Sequence, residues 1–521
     1  MSQVLQIFKK DARHLWPEIL ISLAMTVAFV CVSVSGWSTY RHFGIDPLLP
    51  IIAGLLSTLV PVSWWVLSAR LIHDESLVGD NQFWVTRPYR WQSLLAAKAL
   101  FLLAFLYLPI FVAQGVLLAE AGFHPVNYLP GLLYNLVLLT CVLVLPIAAI
   151  ATVTPNFARF TLTVLGAAAY IGVILWACSS IPFLKGSAFP NLYADKLTFF
   201  LFFFIFLLVI ALQYATRRTW RSRWLLLALP FLVIVCNLAW PIQTLARRLY
   251  PPLSAADQLP VHLTFDPDPA RQEPHPASHW TKDTHFFLPL TVAGVPSGTL
   301  IRNEVVQVSI EASNGAHWNS NWQLVSQSYF PNTVRSYIDI PMDPKFLNHI
   351  PATPVTVTVS FALIQLQAGT TVTSQPGDQN FSLPGGGTCS VSDTAYGTYP
   401  ECRFPMAEPG LTFLTARWTD GPCSQTPSIG SGTLGDAGLG TIDPALAEFG
   451  LDPVKIRPLV FSNQPRNSTH PTFICPGTPI SATPYSVVRR VQTTLTIPNL
   501  DLTKYTTDHP ERIAMSYSIA N

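Results

Sequence analysis

The feature that most constrains this chain is a series of seven apolar stretches in its first half. They lie at about residues 17–37, 48–69, 94–119, 128–152, 159–182, 197–214 and 224–241. A helix needs about 20 apolar residues to cross the hydrocarbon of a bilayer. Inside lipid, backbone N–H and C=O groups must be satisfied within the segment, so runs of this length resolve as helices. Residues 17–241 are therefore expected to form an α-helical polytopic membrane bundle of about seven spans. The low charged fraction, 12% of the chain, against about a quarter in soluble proteins, fits that reading. The first stretch is long, lacks a clear small-residue cleavage site and is followed by further spans, so it reads as an uncleaved anchor. The fifth is the least uniform, because Tyr170 and Cys178-Ser179-Ser180 interrupt it; a re-entrant segment is the alternative there.

Basic residues flanking the spans give the orientation. With the N-terminus inside, the inner segments carry Lys9, Lys10, Arg13, Arg70, Arg87, Arg90, Arg159, Arg217, Arg218, Arg221 and Arg223. The outer loops carry only Arg41, Lys185 and Lys196, so the balance is eleven against three. Seven spans then deliver the second half of the chain to the outside. Ahead of the first span, residues 1–16 read as an amphipathic helix lying along the inner membrane surface. Val4, Leu5, Phe8, Ala12, Leu15 and Trp16 share one face, and Lys9, Lys10, Arg13 and His14 fall largely on the other. Within the spans ionisable groups are almost absent. Glu18 and Glu120 sit at ends, Lys98 sits near the start of the third span with reach to snorkel, and Gln114 and Asn135 are the main polar residues deeper in. Ion-coupled transport usually leaves intramembrane Asp, Glu or His, so that class is disfavoured.

The second half has a different composition. Residues 242–284, punctuated by Pro251, Pro252, Pro260, Pro267, Pro269, Pro274 and Pro276, read as a linker, and residues 285–521 as an extracytoplasmic β-rich domain. Val306, Val308 and Ile310 alternate with polar residues. So do Val355, Val357, Val359, Phe361 and Leu363, and again Val491, Leu495 and Ile497. This two-residue period marks half-buried strands. Many such strands with Gly/Pro turns and no convincing helix predict an all-β, antiparallel sandwich-like domain. Four of the eight cysteines, Cys389, Cys402, Cys423 and Cys475, lie in this half. They are expected to form two disulfides in an oxidising compartment, with three pairings open. Trp318 and Trp322 flank Asn319-Ser320-Asn321, either as a ligand-binding loop or, more often for such tryptophans, as caps on a sandwich core. His275, His279 and His285 read as solvated side chains, and Asp339 with Asp343 as a weak calcium pattern. No catalytic motif, cofactor fingerprint or metal-ligand spacing stands out. The net charge of +2 carries no nucleic-acid signal.

The loop between the second and third spans, residues 71–93, is longer than a simple connection requires. It is mixed in charge and carries Phe83 and Trp84. Its order is an acidic residue, Glu75, a glycine four on, Gly79, and a run through Phe83, Trp84, Thr86 and Arg87 to Pro88. Ala97-Lys98 then opens the third span. Here the chain resembles the membrane subunits of ABC-2 type exporters, and the resemblance covers about residues 1–215. It implies that this loop is the coupling helix that meets a separate P-loop ATPase subunit, with Glu75, Gly79, Phe83, Trp84, Thr86, Arg87 and Pro88 as the coupling residues. It also implies that two permease chains, identical or related, form the translocation path in a cytoplasmic (inner) membrane. The chain contains no GxxxxGK[ST], so ATP hydrolysis is expected on another chain and no cofactor on this one. The seventh span and the large outer domain depart from the six-span family plan. The alternative is a membrane-anchored receptor or envelope-assembly protein whose β-domain binds a ligand or partner.

Overall fold

The structure, a computed structural model, describes residues 3–39, 48–75, 78, 90–180, 190–217, 219–239, 242–253, 261–267, 284–331, 333–342, 346, 354–374, 380–383, 387–394, 397–406, 411–419, 428–434, 450–458, 473–474 and 479–506. The coupling-loop residues Gly79, Phe83, Trp84, Thr86, Arg87 and Pro88 lie outside the described residues, as do Cys423, Cys475 and Asp343.

The first half is helical. It opens with α1 (Gln3–His14), α2 (Trp16–Thr39) and α3 (Leu48–His73). The third apolar stretch is a continuous rod made of α4 (Trp91–Leu102), a π-helical turn (Leu103–Tyr107) and α5 (Leu108–Glu120). The fourth repeats the pattern after a 3-10 turn (Pro125–Tyr128), with α6 (Leu129–Leu139), a π-helical turn (Thr140–Val144) and α7 (Leu145–Val153). Then come α8 (Phe157–Ser180), α9 (Pro190–Thr216), α10 (Thr219–Ala239) and α11 (Ile242–Leu249).

The two π-turns have a common cause. Pro109 and Pro146 have no N–H to offer the carbonyls four residues back, Phe105 and Val142, and the helix widens there. The backbone N–H groups of Leu108 and Leu145 instead reach the carbonyls of Leu103 and Thr140, five residues back. The rods of the third and fourth stretches are joined by a tight turn in which Gly122 takes φ +89°, a conformation that suits glycine at a helix end.

Among the described residues, five segments are long and apolar enough to cross a membrane: Trp16–Ser35, Ile51–His73, Trp91–Glu120, Pro125–Val153 and Phe157–Ile174. Phe200–Thr216 is a shorter apolar helix. These helices are apolar nearly all round, as expected where one side meets other helices and the other meets lipid. The fourth segment is the centre of the bundle, with 61% of its most apolar window buried, whereas the fifth is only 6% buried. Leu162, Leu165, Val173 and Trp176 on that fifth helix all point outward.

The second half is a set of antiparallel sheets. Its strands are β1 (His262–Phe265), β2 (Thr284–Ala293), β3 (Thr299–Ala312), β4 (His317–Tyr329), β5 (Arg335–Met342), β6 (Val355–Ala368), β7 (Val372–Thr373) and β8 (Asn380–Leu383). They continue with β9 (Gly387–Thr394), β10 (Gly397–Pro405), β11 (Thr412–Thr419), β12 (Ser428–Leu434), β13 (Val454–Pro458), β14 (Phe473–Ile474) and β15 (Ser481–Leu500). The largest sheet runs β12-β11-β15-β6-β3-β4, with β14 on β11 and β7 on β15. A three-stranded sheet runs β1-β2-β5, and a four-stranded one β13-β10-β9-β8.

The alternating residues read from the sequence are the ones that face inward. Val306, Val308 and Ile310 of β3 share one core with Val357, Val359 and Phe361 of β6. Phe286, Leu288 and Leu290 of β2 and Ile338 and Ile340 of β5 belong to the same core. Full burial of such side chains stabilises by about 1.5–3 kcal/mol each.

Two expectations need adjustment. The Pro-rich 242–284 segment is not linker throughout: it contains α11 and β1, and Ala246 and Tyr250 pack with Leu300 and Trp322. Pro251 and Pro252 follow α11, and Pro267 follows β1. The β-rich half is also not free of helix, since Leu502–Tyr505 closes β15 with a 3-10 turn that buries Leu502 and Tyr505.

Candidate functional site

The amphipathic stripe on α1 differs from the simple apolar face. Its buried positions are Ile7, Asp11 and Leu15, spaced four apart, while Leu5 and Trp16 are exposed. Val4, Phe8 and Ala12 are partly buried. Phe8 stacks on Phe105 with ring centroids 5.7 Å apart and sits edge-on to Phe101. The helix therefore lies against α4 and the π-turn that follows it, and it brings a carboxylate with it.

That carboxylate organises a buried charge cluster. Lys98 Nζ lies 2.8 Å from Asp11 Oδ2 and 3.1 Å from Glu75 Oε2. Lys10 Nζ donates to Glu75 Oε1 at 2.8 Å and lies 3.4 Å from Asp11 Oδ1 and 3.3 Å from Asp74 Oδ2. Asp11 is fully buried, and Lys98 and Glu75 are nearly so. The buried part thus holds two carboxylates and one ammonium, and Lys10, whose side chain is 43% exposed, brings the second positive charge from the rim. Outside them, His14 Nε2 lies 3.4 Å from Asp74 and Arg70 lies 3.3 Å from Glu18. The cluster ties together α1, the chain leaving α3 and the start of α4.

Its electrostatics follow from this pairing. Burial raises the pKa of the Glu75 carboxyl, but Lys98 and the hydrogen bond from Lys10 outweigh it and hold the pKa below the usual carboxylate range. Burial lowers that of the Lys10 ammonium, and the hydrogen bond to Glu75 with the charges of Glu75, Asp11 and Asp74 more than reverses it. Both groups stay ionised at neutral pH. Lys98 does not snorkel, contrary to expectation. An ammonium with two carboxylates at 2.8 and 3.1 Å has its counter-charges inside the bundle. Glu75 and Lys98, the two ends of the loop pattern, are brought into contact, whereas Asp11, Lys10 and Asp74 were missed. The readable signal for Asp11 was its place midway between Ile7 and Leu15 on one helical stripe.

Nearby polar groups brace the same end of the bundle. His73 Nε2 lies 3.1 Å from Thr154 Oγ1, Arg223 donates to the Val153 carbonyl at 3.0 Å, and Ser222 donates to Gln213 at 3.3 Å. At the other end, Gln114 and Asn135 do not face each other across an empty path. Gln114 Nε2 donates to the Leu451 carbonyl at 3.1 Å and Asn135 Nδ2 to the Gly450 carbonyl at 2.9 Å. The β-rich half thus reaches into the helical half, which no pattern in the sequence announced.

In the β-rich half, Cys389 and Cys402 form a disulfide between directly opposed positions of β9 and β10. Trp318 and Trp322 lie within β4 rather than in a loop. Trp322 is in the core, and Trp318 stacks with Phe346 at 6.2 Å. The Asn319-Ser320-Asn321 stretch between them is an irregularity in the β3–β4 ladder, with Asn321 at φ +55°. Ser320 Oγ accepts from the Val308 N–H at 2.8 Å and so repairs the lost ladder bond. His285 pairs with Asp339 at 2.7 Å. Tyr250 donates to the buried Glu304 at 2.7 Å; burial, then the adjacent Glu304 charge, push its hydroxyl well above the usual range. Among the described residues there is no group of three or more His, Cys, Asp or Glu side chains placed to hold a metal ion.

The class that fold and composition define is a helical membrane protein carrying an antiparallel β-rich domain. No family model matches the chain, and no curated protein is significantly similar to it.

Proposed function

We propose that this chain is the permease subunit of an ABC-2 type, ATP-driven exporter, docking a separate P-loop ATPase through the loop after α3. The observation that carries the reading is the Glu75–Lys98 contact at 3.1 Å. The acidic start of the coupling pattern and the lysine that ends it are clamped together, with Asp11 and Lys10 of α1 closing the clamp. A loop whose base is held by buried ion pairs transmits a push to the third span and to α1 instead of absorbing it. On this reading α9 and α10 complete seven spans. The basic residues keep the cluster on the cytoplasmic side of an inner membrane, and the β-domain, a sandwich of the β1-β2-β5 sheet on the large sheet, stands outside. Two permease chains would share the path, with lipid around them.

Co-purification tests this. Phe83→Ala with Trp84→Ala is expected to reduce recovery of the ATPase with the full-length chain at least tenfold while its thermal midpoint stays unchanged. Undiminished recovery would refute the coupling role. Charge reversal at Glu75 is the poorer probe, because it sets a third positive charge beside Lys98 and Lys10 and threatens the fold itself.

A second reading, a membrane-anchored receptor, draws on a cleft of about 260 Å³ lined by Asp266, Phe287, Gln327, Arg335 and Tyr337. The Phe287 and Tyr337 rings stack at 5.1 Å on its wall. A chain that co-purifies with no ATPase would favour that reading.

A further inference from the structure

The contact between Gly450–Leu451 and the bundle has the build of a plug. Gln114 is fully buried and Asn135 nearly so, and both spend their amide N–H groups on carbonyls of this segment, at 3.1 and 2.9 Å. Leu451 and Val454 join the same apolar cluster as Leu117, Leu118, Phe123 and Leu132. The mounting is stiff. Met406 N–H donates to the Pro453 carbonyl at 2.6 Å, β13 starts at Val454 and pairs with β10, and β10 is bonded to β9 through Cys389–Cys402.

The seat, by contrast, is incompletely satisfied. Among the described residues, Gln114 Oε1 and Asn135 Oδ1 are buried without a hydrogen-bond partner. Unpaired buried acceptors raise the free energy of the seated state relative to one that water reaches. Beneath the seat both rods carry their π-turns, Leu103–Tyr107 in one and Thr140–Val144 in the other. Such turns are where helices bend. Lys98 and Gln114 lie on one rod, about 24 Å apart at 1.5 Å per residue, with a π-turn between them.

We propose that residues 450–454 are a plug on the β-domain end of the third and fourth apolar segments. The plug withdraws when those segments bend at their π-turns, and the bend is set by the charge cluster around Lys98.

Two measurements on the full-length chain in lipid nanodiscs test it. Gly131→Cys with Met406→Cys sets the two Cβ atoms about 3.7 Å apart, within disulfide range, and is expected to cross-link under mild oxidation. Failure to cross-link would overturn the plug. In a Leu132→Cys chain, whose probe position is 2% exposed, labelling by a water-soluble maleimide reports opening. Gln114→Leu with Asn135→Leu is expected to speed labelling about tenfold. Pro109→Ala with Pro146→Ala, which restores the missing helical N–H donors, is expected to slow it about threefold. Lys98→Met is expected to speed it about threefold, and Lys98→Arg, which keeps the charge, to leave it near the unmodified rate. Unchanged labelling in the amide pair removes the seat. Unchanged labelling in the proline pair removes the hinge, and unchanged labelling in a Lys98→Met chain of normal helix content removes the link to the cluster.

Discussion

Replacing Lys98 by methionine isolates the worth of the buried charge cluster. Methionine keeps the unbranched apolar stem and deletes the charge. Asp11, fully buried, then loses its partner at 2.8 Å and Glu75 loses one at 3.1 Å. Breaking a buried pair by removing one partner costs about 3–5 kcal/mol, because the surviving charge stays desolvated. Lys10 remains 3.4 Å from Asp11 and 2.8 Å from Glu75, so the lower end, about 3 kcal/mol, is expected. That is a factor of roughly one hundred or more in an equilibrium constant. The cost falls on the docking of α1, which enters the cluster through Asp11 and Lys10 and otherwise rests on the apolar contacts of Ile7 and Phe8. Hydrogen–deuterium exchange of the α1 backbone amides in nanodiscs reads it directly: exchange should accelerate by about two orders of magnitude while the α7 amides stay protected. The double replacement Asp11→Asn with Lys98→Met removes both charges and should recover at least half of the loss. Acceleration below about fivefold in the single variant, or no recovery in the double, would refute the view that an unpaired buried charge is the cause.

The same cluster sets a pH window. The pKa of Glu75 is depressed, so its contribution is present above the usual carboxylate value and is lost as pH falls through the lowered one. That of Lys10 is raised, so its contribution is present below the usual lysine value and is lost only as pH rises beyond it. α1 protection should therefore be flat from about pH 5 to 10 and fall at the acid end, and a step near pH 7 would contradict the pairing. Trp322→Ala empties a core position of the β-domain and should destabilise that domain by about 3–5 kcal/mol, read as a drop in its denaturant midpoint. Gly387→Ala would bring a Cβ to 2.5 Å from Phe404 Cε1 and should cost about 1–3 kcal/mol by overpacking, with Phe404→Leu in the same chain recovering part of it.

The apolar helices were legible residue by residue because a bilayer imposes one requirement, a long run without unsatisfied polar groups, that local composition records directly. The strands were legible for a similar reason. Val306, Val308 and Ile310 alternate because they line one face of β3 against the main apolar core, and that period is visible without knowing the partner β6. The cysteine pairing was not legible, since four thiols at those spacings are compatible with several ladders; the β9–β10 register selects Cys389–Cys402. Trp318 and Trp322 read as either loop or core, and burial of Trp322 in β4 followed from where β3 and β6 lie.

By itself, then, the sequence determined the two-part build, the positions of the apolar helices and the inward faces of the main strands, all properties written in local period and composition. Tertiary structure alone decided the contacts between distant parts, among them Asp11 and Glu75 on Lys98 at one end and Gly450–Leu451 on Gln114 and Asn135 at the other. The reason is physical. A charge or amide inside an apolar run is costly wherever it stands, and nothing in its neighbours states which residue, 87 or 337 positions away, offsets that cost.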